Sequence, residues 1–253
     1  YGVPLAYESG ALSGGMAPVT RAGVIVETLA ESLSGLVVHQ LKSRGAPFIG
    51  GGGTPALDML TSICAYSSPS FLLGVTGLVE MCRYYGLPSW GFAACTDSFV
   101  MDAQAGVEYG VWTLMAHLSG ANLIHDCGYL GQGTVGSLES ILLADETIGL
   151  VKAVCKGVEV NTDTLAESVI ADVFSGKEQF VTHEQTLRRF KTDHYRPKFL
   201  NRQGFSTWDE KGRKDIRGIL TEKAREILKS HEVPPLESKV AAKLEKIAAS
   251  EEG

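Results

Sequence analysis

Two short runs in this sequence combine side chains that can do chemistry. One is Thr96-Asp97-Ser98, and the other is His125-Asp126-Cys127. Each follows a strand-like stretch, Trp90 to Cys95 and Asn122 to Ile124, and an amphipathic segment from about Asp102 to Leu118 lies between them. In a parallel α/β protein the C-terminal ends of successive strands point the same way, so Asp97, Ser98, His125 and Asp126 should share one mouth. Carboxylates, a hydroxyl and an imidazole there could orient a charged small molecule. Asp97 and Ser98 could equally cap the next helix, and His125-Asp126 could be a buried pair closing a strand.

The rest of the chain supplies elements to carry them. Strand starts near Val3, Pro47, Ser89 and Asn122 alternate with helices predicted over Thr20 to Ser43, Phe71 to Tyr85, Asp102 to Leu118 and Ser137 to about Val158. That alternation argues for a parallel sheet with covering helices. Four such units are half of a (β/α)8 TIM-type barrel, and an open doubly wound sheet is the other option. The chain starts at Tyr1 rather than Met, inside a strand-like stretch, so the N-terminal part of a longer protein is expected to be missing. The half barrel is therefore preferred, over 1-175, followed by a helical C-terminal extension over 176-253.

Helical periodicity assigns Val24, Thr28, Leu29, Leu33, Leu36, Val37 and Leu41 to the buried face of the first helix. It assigns Val107, Val111, Leu114, Met115 and Leu118 to that of the third. Further helices are expected over Thr162 to Phe174, Thr182 to Tyr195, Asp209 to Leu228 and Glu237 to Ala249. The run Gly50-Gly51-Gly52-Gly53 permits positive φ or close backbone approach, either to a ligand or to a packed neighbour. No Gly-Lys-Ser/Thr follows, so it is not a phosphate-binding P-loop.

Composition narrows the function classes. A net charge of -6 gives no footprint for nucleic acid. Of the 23 basic residues only Arg21, Lys42, Arg44, Arg83, Lys152 and Lys156 precede Lys177, so positive charge gathers in the tail. Cys64, Cys82, Cys95, Cys127 and Cys155 occur singly, without a C-x-x-C pair, and reduced thiols in a cytoplasmic protein are expected. Apolar runs are interrupted well short of the roughly 20 residues that span a bilayer, so no membrane association is expected. A half barrel would leave two apolar sheet edges to be covered, and a homo-oligomer is expected.

The stretch Ser119 to Leu130, with Trp90-Gly91, Thr96-Asp97-Ser98, Asp102 to Glu108, the glycine run after Pro47, Thr182 to Thr186 and Trp208-Asp209, resembles the trimethylamine methyltransferase family. The likeness covers essentially the whole chain. It implies the C-terminal half of a TIM-type barrel, a methylated amine at its mouth, and methyl transfer to cobalt(I) of a corrinoid (cobalamin) carried by a partner corrinoid protein. Members acting on trimethylamine proper carry pyrrolysine about where the loop after Trp90 lies. This sequence has none, and no lysine occurs between Lys42 and Lys152. The closer likeness is to the family's non-pyrrolysine members, which resemble demethylases of glycine betaine and related quaternary amines.

A quaternary ammonium can be held only by aromatic faces and carboxylates. Glu8, Trp90, Phe92, Phe99, Asp126 and Tyr129 are the candidate cage, with Tyr7 and Phe48 in reach; Ser98 and Gln104 are further substrate contacts, and Asp97 and His125 the candidate catalytic pair. Methyl loss to cobalt(I) releases a neutral amine, so no general base is needed and alignment supplies the help. His125 could bond a substrate carboxylate or the corrinoid. The alternative is a zinc-dependent methyltransferase or metallohydrolase using Cys95, His125 and Cys127. A Schiff-base lyase would need a lysine at a strand end, and none is there. A non-catalytic accessory is the remaining reading.

Overall fold

A computed structural model describes residues 3–250; the start at Tyr1 and the last three residues of the expected tail lie outside the described residues. Four short strands, β1 (Leu5–Ala6), β2 (Phe48–Ile49), β5 (Trp90–Phe92) and β6 (Leu123–His125), follow one another across the molecule. β1 pairs parallel with β2, a parallel bridge joins Gly50 to Ser89, and β5 pairs parallel with β6 in the register Trp90–Leu123, Gly91–Ile124 and Phe92–His125. Between them run α1 (Arg21–Lys42), α2 (Pro69–Tyr84) and α3 (Ala103–Ser119), with α4 (Leu138–Cys155) after β6. The chain is thus mixed α/β with parallel strands in sequential order, and β1 and β6 have no further strand beside them among the described residues.

Each helix begins where its sequence allows. Ser68 accepts the N–H of Phe71 at 3.3 Å with Pro69 in the first turn, Asp102 accepts that of Ala105 at 3.0 Å, and Ser137 forms a reciprocal box with Ser140. Asp102, not Asp97 or Ser98, therefore caps α3. Gly120, at φ 74°, closes α3 as expected.

Two helix faces differ from the periodic expectation. In α1 the buried residues are Val24, Thr28, Leu29, Ser32 and Gly35, whereas Val37 and Leu41 are exposed. In α3 they are Ala105, Tyr109, Trp112, Thr113, Ala116 and Ser119, whereas Val107, Val111, Leu114 and Leu118 face outward. In α1 the reason is close approach: a Cβ on Gly35 would collide with the Tyr7 ring at 2.6 Å, so Ser32 and Gly35 line the packed side. In α3 the buried rings of Tyr109 and Trp112 set the face instead. By length and composition α1 is also long and apolar enough to cross a membrane, which the reading of interrupted runs did not anticipate. It packs along α2.

Two hairpins were absent from the sequence reading. β3 (Ala56–Leu57) pairs antiparallel with β4 (Cys64–Ala65), and β7 (Tyr129–Leu130) with β8 (Val135–Gly136). The first carries Tyr66 onto the ends of the strands. The glycine run is a packing device: a Cβ on Gly51 would lie 2.6 Å from the Trp90 ring, and one on Gly52 would strike the Ser9 backbone.

The central core gathers Phe71, Leu72, Val75, Trp90, Phe92, Cys95 and Trp112. Burying side chains of this size contributes roughly 1.5–3 kcal/mol apiece. A second cluster joins Ala94, Ala105, Tyr109, Leu130, Leu143 and Ala144 to Leu220.

The tail continues with α5 (Thr162–Leu165), α6 (Glu167–Phe174), α7 (Glu184–Asp193), α8 (Phe205–Glu210), α9 (Ile216–Ser230) and α10 (Ser238–Ser250). The helix expected over Thr162 to Phe174 divides at Ala166 (φ 55°), and Asn161 caps its first part. That expected over Asp209 to Leu228 divides at Gly212 and Arg213, both at positive φ. α9 lies on α4, and the buried carboxylate of Glu146 ties the approach to it by accepting the N–H groups of Lys198 at 2.9 Å and Phe199 at 3.0 Å.

Candidate active site

The ends of β5 and β6 meet through Tyr66. Its backbone N–H donates to Asp97 Oδ1 at 2.9 Å, that of Ser67 donates to Asp97 Oδ2 at 3.1 Å, and the Tyr66 hydroxyl donates to Asp126 Oδ2. Asp126 Oδ1 in turn lies 2.6 Å from His125 Nδ1. Asp97, Tyr66, Asp126 and His125 thus form one connected array at the C-terminal end of the parallel strands. Asp126 adopts φ 64°, a conformation that side chains other than glycine seldom take, and this turns its carboxylate back toward His125 and Tyr66.

A second layer fixes the Asp97 loop. Glu108 on α3 accepts the Thr96 hydroxyl at 2.5 Å and the Asp97 N–H at 2.9 Å, and Gln104 donates to its other oxygen at 3.0 Å. Gln104 therefore supports Glu108 and makes no approach to the Asp97–His125 array. Ser98 is buried, and its hydroxyl donates to Val100 O at 2.9 Å. The substrate contact expected of Ser98 is replaced by a turn-forming role.

The aromatic faces are also redistributed. Trp90 and Phe92 are buried, and the His125 ring covers them, with centroids 4.6 Å from Trp90 and 4.5 Å from Phe92. They cannot offer these faces directly to a ligand while His125 lies over them. Tyr7 packs on Gly35 and Phe48 is buried beside His39, so neither is free for a cage. Phe99, 62% exposed, and Tyr129 lie at the surface. Glu8 is exposed and near enough to Tyr66 for its charge to bear on the phenol.

Electrostatics follow from burial. Desolvation pushes the Asp97 carboxyl above the ordinary carboxylate range; Glu108 adds to this, and the N–H groups of Ser67 and Tyr66 oppose it. Burial also drives the Tyr66 phenol far up, followed by its hydrogen bond to Asp126, so it remains a donor. The Cys95 thiol is raised by burial and then by Asp126, and Cys127 by burial and then by Asp126. Without a metal both are therefore held as thiols. Among the described residues no group of three or more His, Cys, Asp or Glu is placed to hold a metal ion, so Cys95, His125 and Cys127 do not converge.

Comparison with known proteins now bears on this geometry. The family model described as Trimethylamine methyltransferase (MTTB) matches residues 2–252. The chain belongs to the trimethylamine methyltransferase family. Trimethylamine methyltransferase MttB of Methanosarcina barkeri is 34% identical over 247 residues, covering 98% of this chain and 50% of its own length. A protein of the same name from Desulfitobacterium hafniense is 32% identical over 251 residues, covering 99% and 50%. A glycine betaine methyltransferase from another strain of that species is 29% identical over 239 residues, covering 94% and 50%. The chain spans about half the length of the curated relatives it matches. Members bearing both substrate names thus align with nearly all of it.

Within this family frame, Tyr66 is the residue that sequence reasoning missed. The only signal for it was a tyrosine just before Ser68-Pro69, a helix-start pattern that placed it at a strand-to-helix junction.

Proposed function

We propose that this chain is part of a methyltransferase that moves a methyl group from a quaternary or tertiary methylamine, of the glycine betaine kind, to cobalt(I) in the corrinoid of a separate protein. Family membership supports the reaction class, and the absence of any lysine between Lys42 and Lys152 supports a member without a pyrrolysine-like side chain in that stretch. The parallel β1–β2–β5–β6 order supports residues 1–175 as half of a (β/α)8 barrel, with 176–253 as a helical extension. A cytoplasmic homo-oligomer belongs to the same reading.

The observation that carries it is the array Asp97–Tyr66–Asp126–His125 at the strand ends. The substrate nitrogen is cationic, and Asp126, Asp97 and Glu8 supply negative charge without a neighbouring Lys or Arg in the array to neutralise it. The methyl carbon passes to cobalt while nitrogen keeps the electron pair of the broken C–N bond, leaving a neutral amine. No proton moves. The protein's work is alignment, so hydrogen bonds that lock Asp97 and Asp126 in place are the relevant machinery. His125 Nδ1 is engaged by Asp126, which leaves Nε2 for a substrate carboxylate or the partner's corrinoid.

The test is methylation of a cobalt(I) corrinoid protein, followed by methyl-cobalt absorbance, with glycine betaine, other betaines, carnitine, choline and trimethylamine as donors. Turnover of a betaine is expected. Activity confined to trimethylamine would overturn the substrate assignment, and none with any donor would overturn the reaction.

A further inference from the structure

We propose that the cavity walled by Trp208 in the C-terminal helices binds a small multivalent anion of the oligophosphate class. The cavity encloses about 610 Å³, within the range of roughly 300–1,000 Å³ typical of small-ligand sites. Five cations line it, Arg196, Lys198, Arg202, Lys211 and Lys214, and no carboxylate does. Lys198 is paired with Asp145 at 2.6 Å and Lys214 with Glu222 at 2.7 Å. Arg196, Arg202 and Lys211 have no carboxylate within 4.0 Å among the described residues. Three cations without a carboxylate partner thus line one concavity, a local excess of positive charge that an anion would offset.

The wider charge distribution points the same way. Residues 1–176 carry six Lys and Arg against sixteen Asp and Glu, whereas residues 177–253 carry seventeen against thirteen. In a molecule of net charge -6, an anion is therefore steered to the tail. The wall is also held in place before any ligand arrives. Glu146 fixes the segment bearing Arg196, Lys198 and Arg202, and Trp208 Nε1 donates to Lys214 O at 3.0 Å. Such preorganisation reduces the ordering cost of binding. Cations on the walls of a pocket fit a compact anion better than the broad face of an acidic protein. The planar guanidinium groups of Arg196 and Arg202 suit paired phosphate oxygens. This site is independent of the methyltransferase reading.

Trp208 supplies the readout, because Trp90 and Trp112 are buried. Pyrophosphate titrated into the chain at constant ionic strength should give a saturable change in tryptophan fluorescence that is absent in Trp208→Phe, while calorimetry on that variant still detects binding. The triple variant R196Q/R202Q/K211Q should weaken binding at least about tenfold, with circular dichroism and melting unchanged. Should the triple variant not fold, Arg202→Gln and Lys211→Gln singly should each weaken it about three- to tenfold. ADP and ATP run in parallel distinguish the source: tighter binding than pyrophosphate assigns a nucleotide, and equal binding a free oligophosphate. No saturation by about 10 mM pyrophosphate, unchanged affinity in the variants, or binding of an oligo-glutamate peptide alone would overturn the proposal.

Discussion

The hydroxyl of Tyr66, from the turn that leads into α2, donates to the Asp126 carboxylate at the end of β6. Because the backbone N–H of the same tyrosine serves Asp97, one residue couples the ends of β5 and β6, beyond the last of their paired residues. Replacing it with phenylalanine keeps the ring packed on Phe71 and Phe92 and removes only the donor to Asp126. Loss of one partner of such a bond costs about 1–3 kcal/mol. Tyr66→Phe should therefore cost about that much stability in urea melts while still folding, and lower methyl transfer about ten- to a hundredfold in the methyl-cobalt assay. Full activity would remove Tyr66 from the machinery.

Asp97 gives a pH signature. Its carboxyl titrates above 3.8, chiefly because of burial, so between 3.8 and its folded value the native state binds more protons than the unfolded chain. Its contribution to stability is greatest below 3.8 and diminishes as pH rises through the folded value. Asp97→Asn cannot titrate. The stability of the parent minus that of the variant, from urea melts at successive pH, should fall as pH is raised from 3.8. A difference that rises would contradict the burial argument.

Glu108 should matter as a support for Asp97 without touching substrate. In Glu108→Ala the Thr96 hydroxyl and the Asp97 N–H lose their acceptor, at a cost of about 1–3 kcal/mol in urea melts. Glu108→Gln keeps an oxygen for those donors and should recover most of the loss. The same ranking is expected for methyl transfer.

Glu146 holds the tail. Removing its buried carboxylate leaves the N–H groups of Lys198 and Phe199 without an acceptor, and Glu146→Ala should cost about 2–4 kcal/mol. Limited proteolysis should then cut near 196–203 faster than in the parent. An unchanged digestion pattern would mean that α9 packing alone retains this segment.

Gly74 on α2 faces Thr54, and a Cβ there would collide with the Thr54 side chain. Overpacking typically costs about 1–3 kcal/mol. Gly74→Ala should lower stability by that amount in thermal melts, and Thr54→Ala in the same chain should relieve part of it by removing the hydroxyl that lies nearest. No relief would place the strain elsewhere.

Much of this architecture was legible in the sequence because strand-loop-helix alternation and helix-end residues are local signals. α1, α2, α3 and α4 lie within a few residues of their expected spans. The faces of α1 and α3 were not, because large apolar residues were assumed to mark the core. In α1 Ser32 and Gly35 are packed because Tyr7 approaches closely, and in α3 Tyr109 and Trp112 turn the packed face away from Val107, Val111 and Leu118. The pairing of Asp97 with Asp126 through Tyr66 was not legible either. It depends on the β3–β4 hairpin, whose two-residue strands leave almost no alternation to detect. His125 and Asp126 were recognised from their place after a strand, but the stacking of His125 over Trp90 and Phe92 is a property of register: Phe92 and His125 are paired residues.

β6 ends at His125, and among the described residues no strand pairs along its outer side, where Leu123 and Ile124 are exposed. Any backbone that hydrogen-bonds along that border must run past the imidazole within one strand spacing, about 4.8 Å. A segment in that place, from the same polypeptide or another, would therefore set the volume beside His125, and the room next to the imidazole becomes a property of the neighbour as much as of this chain.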